Sequence, residues 1–203
     1  MTGNNISFKA NSKIIILLLA GCVFPIAKVN TDVVYEKGEI AIYQALLYQG
    51  RQHSENQILI HEESTGNTLK NIDPAEVEKL MQEIGVPVEI LYDWENKNKN
   101  RLPMTQSLDL QIDFEILSKS DFNAIFQATN PERAWKEFAG QFKKADGFIR
   151  LSKPGFDAKK NNSLVLIEYH CGAHCGTGRF INLQKNDSGR WKTVNSLVLW
   201  MAY

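Results

Sequence analysis

Residues 163–185, SLVLIEYHCGAHCGTGRFINLQK, decide how the C-terminal part of this chain folds. Two runs rich in aliphatic and aromatic residues flank a ten-residue segment, YHCGAHCGTG, that holds two cysteines, two histidines and three glycines. Such runs are typical of strands, and glycines between them suit the positive φ angles and close backbone approaches of a hairpin tip. The stretch therefore predicts two antiparallel strands joined at Cys171 to Gly178.

Further strands are predicted on both sides of this hairpin. GFIRLS precedes it at residues 147–152, and WKTVNSLVLWMAY follows it at residues 191–203. The connections, KPGFDAKKNN and NDSG, are rich in turn-forming residues. Short links favour antiparallel neighbours, so we expect a C-terminal β-meander.

The preceding residues are predicted to be mainly helical. A helix start is clearest at Asp73-Pro74, where an N-cap acid, a proline at the first helical position and a glutamate three residues after the cap occur together. Trp135, Phe138 and Phe142 recur at helical spacing and are predicted to be core rather than cofactor contacts. The predicted elements are a helix at Glu39–Tyr48, a strand at Gln57–His61, a helix from Pro74 to Gly85, an alternating strand at Leu108–Leu117 and a helix opening at Asn130-Pro131.

This order, helices mostly first and strands mostly last, predicts the α+β class. We expect a single domain with its helices packed on one face of an antiparallel sheet. The chain has 203 residues, 43% of them hydrophobic, which is enough to bury a sizeable core.

The charge balance excludes a general attraction to nucleic acid. Basic and acidic side chains number 23 each. The densest charged run, Glu95–Arg101, alternates with asparagine and is predicted to be a solvated loop.

The N-terminal residues are typical of a secretory signal peptide. Lys9 and Lys13 precede a short apolar run from Ile14 that ends in small residues and a cysteine. The run is too short for a transmembrane helix, and Pro25 interrupts it.

The end of this leader, Leu19-Ala20-Gly21-Cys22, resembles the lipobox of bacterial lipoproteins. The resemblance implies cleavage before Cys22 and attachment of acyl chains to that cysteine, which would anchor the protein to a membrane. Val23, rather than aspartate, follows the cysteine. This resembles the sorting signal of outer-membrane lipoproteins if the host is Gram-negative. The expected organisation is a signal peptide at 1–21, a lipidated cysteine and tether at 22–35, and a globular domain at 36–203.

With Cys22 given to lipid, the remaining two of the three cysteines, Cys171 and Cys175, are free to pair in an oxidising compartment. A disulfide over so short a loop would contribute only about 2 kcal/mol, mainly by stiffening the glycine-rich tip.

Other interpretations of the tip stay open. Its cysteines and histidines could bind zinc or copper, with His53 or His61 joining if the fold brings them near. The cysteine pair could instead carry thiol redox chemistry, or one cysteine could act as a nucleophile. The metal-binding alternative uses His170, Cys171, His174 and Cys175.

Glu168 and His170 lie two apart on one predicted strand and therefore share a face. They could form an acid/base or ligand pair, although a polar surface pair explains the same spacing.

Residues 147–194 together resemble a segment of an uncharacterised family of exported bacterial proteins. The marks of that family are a Leu-Ser…Gly-Phe turn, a C-G-x-x-C-G-x-G tip and a Lys…Gly-x-Trp turn. His174 stands where the family more often has an aliphatic residue. In this chain the marks are Leu151-Ser152, Gly155-Phe156, Cys171 to Gly178, Lys185, Gly189 and Trp191.

The leading functional hypothesis is a lipid-anchored envelope protein whose domain binds a protein or small-molecule ligand without catalysis or a cofactor. The rival hypothesis is a metal-binding or thiol-redox protein centred on Cys171, His174 and Cys175.

Overall fold

A computed structural model describes residues 35–50, 56–104, 108–127 and 130–203. The predicted leader, Cys22 and His53 lie outside these residues. The described part contains, in chain order, α1 (Lys37–Gly50), β1 (Ile58–His61), α2 (Pro74–Glu83), α3 (Val88–Lys97), β2 (Phe114–Leu117), α4 (Lys119–Phe126), α5 (Pro131–Gln141), β3 (Phe148–Leu151), β4 (Gly155–Phe156), β5 (Asn162–Gly172), β6 (Cys175–Lys185) and β7 (Trp191–Ala202). None of these helices is long and apolar enough to cross a membrane.

The strands form one seven-stranded sheet in the order β2-β1-β3-β5-β6-β7, with β4 paired to β5. The pairs from β3 through β7 are antiparallel, which confirms the α+β class and the C-terminal meander. The sheet as a whole is mixed rather than antiparallel, because β1 pairs in parallel with both β2 and β3. Helical crossovers separate these strands along the chain, and such crossovers are what parallel pairing requires.

Helices cover both faces of the sheet, whereas the sequence led us to expect one covered face. On the first face, α1 packs against Val165 and Ile167 of β5, and we call this the α1 face. On the opposite face, α2 and α3 pack against Leu164 and Leu166. The reason is the unbroken apolar run in β5, which presents aliphatic side chains to both sides and needs cover on both.

A third apolar cluster lies on this opposite face, where α4 and α5 cover the short strands β1 and β3. Its buried members are Leu59, Leu117, Ile125, Ala134, Phe138 and Phe148.

The helix signals are confirmed where capping residues supported them. The Asp73 carboxylate accepts a hydrogen bond from the Ala75 amide at the start of α2, and Asn130 caps α5 in the same way. Gly85 takes a φ of 72° just beyond α2, a backbone angle that favours glycine.

The alternating segment at residues 108–117 forms less strand than its pattern predicts. Only the part from Phe114 to Leu117 is strand. Gln111 has a φ of 50°, which interrupts the extended backbone. Leu108 and Leu110 are nevertheless buried in the cluster under α1, so their apolar character reflects burial without strand pairing.

The predicted loop at Glu95–Arg101 is wrong in its first half. Residues through Lys97 form the last turn of α3, and Asn98 is fully buried. The Asn98 amide donates to the carbonyls of Trp94 and Lys153. The polar residue thus joins α3 to the segment between β3 and β4 instead of facing water.

Candidate functional site

The cysteine segment forms the tip of the β5–β6 hairpin, as predicted. The Sγ atoms of Cys171 and Cys175 lie at bonding distance, with their Cα atoms 5.0 Å apart. His174 is exposed at the turn, and no hydrogen bond or ion pair within the described residues explains its presence.

The glycines of the tip serve close packing rather than unusual backbone angles. Among the described glycines, positive φ values occur at Gly85 and Gly189, and the tip glycines do not share them. A Cβ at Gly176 would lie 3.0 Å from the Trp200 ring, and one at Gly178 would overlap that ring. The two glycines therefore provide a flat surface on which the indole of Trp200 rests.

Several polar side chains form a row across the face of the sheet that carries α2 to α5. Strand register places Arg150 opposite Glu168, Glu168 opposite Gly178, and Gly178 opposite Trp200. His61 extends the row from β1, and His170 lies two residues beyond Glu168 on β5. We call His61, Arg150, Glu168, His170 and Trp200 the charged row.

The predicted pair of Glu168 and His170 does share a face, with Oε2 and Nε2 3.9 Å apart. This separation is too long for a hydrogen bond. Glu168 is only 9% exposed, so the pair is not the surface feature that its spacing also allowed. Burial raises the pKa of the Glu168 carboxyl, but His170, the Trp200 indole N–H and Arg150 outweigh burial and hold that pKa below its ordinary value. The carboxylate is therefore ionised near neutral pH.

Two aromatic rings flank the partly exposed His170. Its imidazole stacks on Phe148, with ring centroids 4.8 Å apart, and lies 5.3 Å from the ring of Trp200. The buried Nε2 of His170 has no hydrogen-bond partner among the described residues. The Trp200 indole N–H also reaches Glu168 Oε1, at 3.4 Å.

The other end of the row pairs a histidine with an arginine. Arg150 donates from one Nη to His61 Nε2 at 3.1 Å, and the Phe122 ring lies 4.9 Å from the Arg150 Cζ. Burial, followed by the charge of Arg150, lowers the pKa of His61 to about 4. His61 is therefore neutral at pH 7 and accepts the hydrogen bond from the guanidinium.

Acid should weaken the fold through His61. The pKa of His61 is about 4 in the folded chain against an ordinary value of 6.5. As pH falls, the imidazole is therefore protonated in the unfolded chain before it is protonated in the folded one. Stability is then lost as pH falls from about 6.5 through 4, by about 2 to 3 kcal/mol. Urea unfolding followed by circular dichroism at pH 7, 5.5 and 4 should show a smaller loss in His61→Gln than in the wild type, because the carboxyl of Glu168, whose pKa is also lowered by folding, contributes equally to both.

His174→Gln is the matched control, because His174 is exposed at the hairpin tip. Its stability should follow the wild type at every pH. Equal acid sensitivity in His61→Gln and in the wild type would contradict the assignment to His61.

The structure does not assemble the predicted metal-ligand set. The sulfurs of Cys171 and Cys175 are joined to each other, His174 lies at the exposed turn, and His170 stacks on Phe148. Within the described residues, no three His, Cys, Asp or Glu side chains form a group that could hold a metal ion.

Sequence reasoning missed three members of the charged row: His61 as a partner of Arg150, Arg150 itself and Trp200. One signal was available, since Arg150 is a charged residue inside the otherwise apolar strand FIRL. Trp200 gave no such signal, because its apolar neighbours Leu199 and Met201 hide it in a hydrophobic run.

Comparisons of the chain with protein-family models, with curated proteins and with solved structures gave no match.

Proposed function

We propose that this chain is a lipid-anchored protein of the bacterial cell envelope whose globular domain binds a small ligand at the charged row without catalysis. The observation that carries the binding proposal is the composition of the row. An ionised buried carboxylate and a guanidinium with an unpartnered Nε lie beside the rings of Phe122 and Trp200. Polar groups that converge among aromatic rings are the usual features of a ligand site.

The absence of catalysis is proposed from the surroundings of Glu168 and His170. The rings of Phe148 and Trp200 flank His170 on this face and offer no nucleophile. A buried carboxylate beside an imidazole can orient a ligand by hydrogen bonds and charge without transferring a group.

The anchor is proposed from the sequence Leu19-Ala20-Gly21-Cys22 after a basic and then apolar leader. The residue after the cysteine, Val23, supports the outer membrane as the address if the host is Gram-negative. Metal binding or thiol redox chemistry at Cys171 and Cys175 is the alternative. Metal binding requires these two thiols to be free, and redox chemistry requires them to cycle between dithiol and disulfide.

Counting thiols in the unfolded, full-length protein tests the anchor and the disulfide together. The chain has three cysteines. A lipidated Cys22 and a Cys171–Cys175 disulfide leave no free thiol before reduction and two after it. One free thiol before reduction and three after it would mean that Cys22 is not lipidated. Two free thiols before reduction would favour metal binding at Cys171 and Cys175.

Replacing Cys22 by alanine should release the protein from membranes, because the sulfur that would carry the lipid is lost. The measurement is fractionation of cells that express the wild type or Cys22→Ala, with a high-salt wash. Cys171→Ser is the control and should stay in the membrane fraction. Membrane attachment of Cys22→Ala that survives the salt wash would contradict the anchor.

A further inference from the structure

Within the described residues, the Nε–H of the Arg150 guanidinium has no hydrogen-bond acceptor. Arginine carries five N–H donors in a planar fork. In this protein one Nη donates to His61, the Phe122 ring lies near Cζ, and the buried Nε–H has no partner among the described residues. Because a buried donor without an acceptor is costly, an acceptor from outside the described chain is expected at Nε.

The neighbouring carboxylates are engaged with other groups. Glu168 accepts from the Trp200 indole and lies near His170. Glu63 pairs with Lys119 at 2.8 Å and with Arg101 at 3.6 Å. Neither carboxylate forms an ion pair with Arg150 in the described part of the chain. The arginine is left with a neutral imidazole and the face of an aromatic ring.

We propose that Arg150 binds the carboxylate of a small organic acid, an inference that rests on the proposed binding function and names its ligand class. A carboxylate is planar and can accept two parallel hydrogen bonds from the edge of a guanidinium. The ionised Glu168 lies one strand away, so a ligand with a single negative charge is favoured over a phosphate dianion, which Glu168 would repel more strongly. The rings of Phe122 and Trp200 offer contacts to the apolar remainder of the acid.

Under this proposal, Phe122 limits access to Arg150. Its ring lies over the guanidinium, but the residue is only partly buried and belongs to the short helix α4. A carboxylate reaches Nε when this ring turns aside. A smaller side chain at position 122 therefore makes binding tighter, while loss of the guanidinium fork makes it weaker.

The test is an NMR titration of the ¹⁵N-labelled full-length protein in detergent with sodium acetate, at ionic strength held constant with sodium chloride. The Nε–H signal of Arg150 is assigned by its loss in Arg150→Lys. We expect this signal to shift saturably with acetate in the wild type. Affinity is compared between variants from the indole N–H signal of Trp200, which every variant retains. It should fall about tenfold or more in Arg150→Lys, which keeps the charge but not the fork.

Two further variants sharpen the result. Arg179→Lys changes an exposed arginine on the α1 face and should bind acetate like the wild type. Phe122→Leu should bind acetate more tightly. Equal affinity in Arg150→Lys and in the wild type, or an Nε–H signal that follows chloride as closely as acetate, would overturn the proposal.

Sodium phosphate, titrated in the same way, separates this inference from the proposed function. Weaker binding of phosphate than of acetate supports a carboxylate ligand. Saturable binding of phosphate alone would overturn the carboxylate assignment and leave ligand binding at the charged row intact. If no NMR signal of the charged row shifts with either acetate or phosphate, this inference is overturned and the result counts against ligand binding at the row. The membrane anchor is tested separately, by the fractionation of Cys22→Ala.

Discussion

Replacing Gly155 by alanine is expected to destabilise the domain by about 3 to 5 kcal/mol, or to prevent folding. A Cβ at this position would lie 2.5 Å from the carbonyl oxygen of Ile90 and 2.6 Å from the Cβ of Trp94. Both atoms belong to α3 and cannot move by a side-chain rotation, so the helix or β4 would have to shift. Urea unfolding at pH 7 measures the loss.

Gly140→Ala is the matched control. Gly140 is an exposed residue near the end of α5, and a Cβ there would meet nothing within 4 Å. Alanine should stabilise the helix by about 0.5 to 1 kcal/mol, since it restricts the unfolded chain more than glycine does. Similar effects at positions 155 and 140 would contradict the close contact between β4 and α3.

Replacing Lys153 by methionine is expected to cost about 3 to 5 kcal/mol, because it leaves the buried carboxylate of Glu39 without its cation. Lys153 Nζ lies 2.9 Å from Glu39 Oε2, and the two side chains are only 10% and 8% exposed. The double variant Glu39→Gln/Lys153→Met should recover much of this loss, since no unpaired charge remains buried.

An exposed ion pair in the same protein provides the comparison. Lys160 Nζ lies 2.6 Å from Glu36 Oε2, but these side chains are 55% and 64% exposed. Lys160→Met should therefore change the free energy of unfolding far less than Lys153→Met does. Denaturant unfolding of all three variants at pH 7 checks both statements. If Lys153→Met and Lys160→Met lowered the free energy of unfolding by the same small amount, burial would not determine the energy of the Glu39–Lys153 ion pair.

Local signals in the sequence were sufficient for the elements that local chemistry determines. Asp73 and Pro74 predicted α2, and the glycine-rich segment between two apolar runs predicted the β5–β6 hairpin. The position of β1 could not be predicted in this way. Its partners lie more than fifty residues away, at Phe114 and Phe148, and strand spacing does not reveal which distant strand will pair.

The candidate site shows the same division. Glu168 and His170 are two apart on one strand, so period-two geometry was enough to place them on one face. Arg150 and Trp200 join them only through the register of β3 and β7, which a single sequence does not reveal. Asn98 was misassigned for a related reason: an asparagine among charged residues suggests solvent, but two buried carbonyls decide its place.

The parallel strand β1 determines when the charged row can form during folding. Neighbouring segments of chain build the meander of β5, β6 and β7, so its contacts close over short loops. His61 and Trp200 lie at opposite ends of the row, and most of the domain's sequence separates their strands, β1 and β7. We therefore expect the row to be complete only after β1 has docked. Ligand binding at Arg150 would then report a fully folded domain and would be absent from a partly folded one.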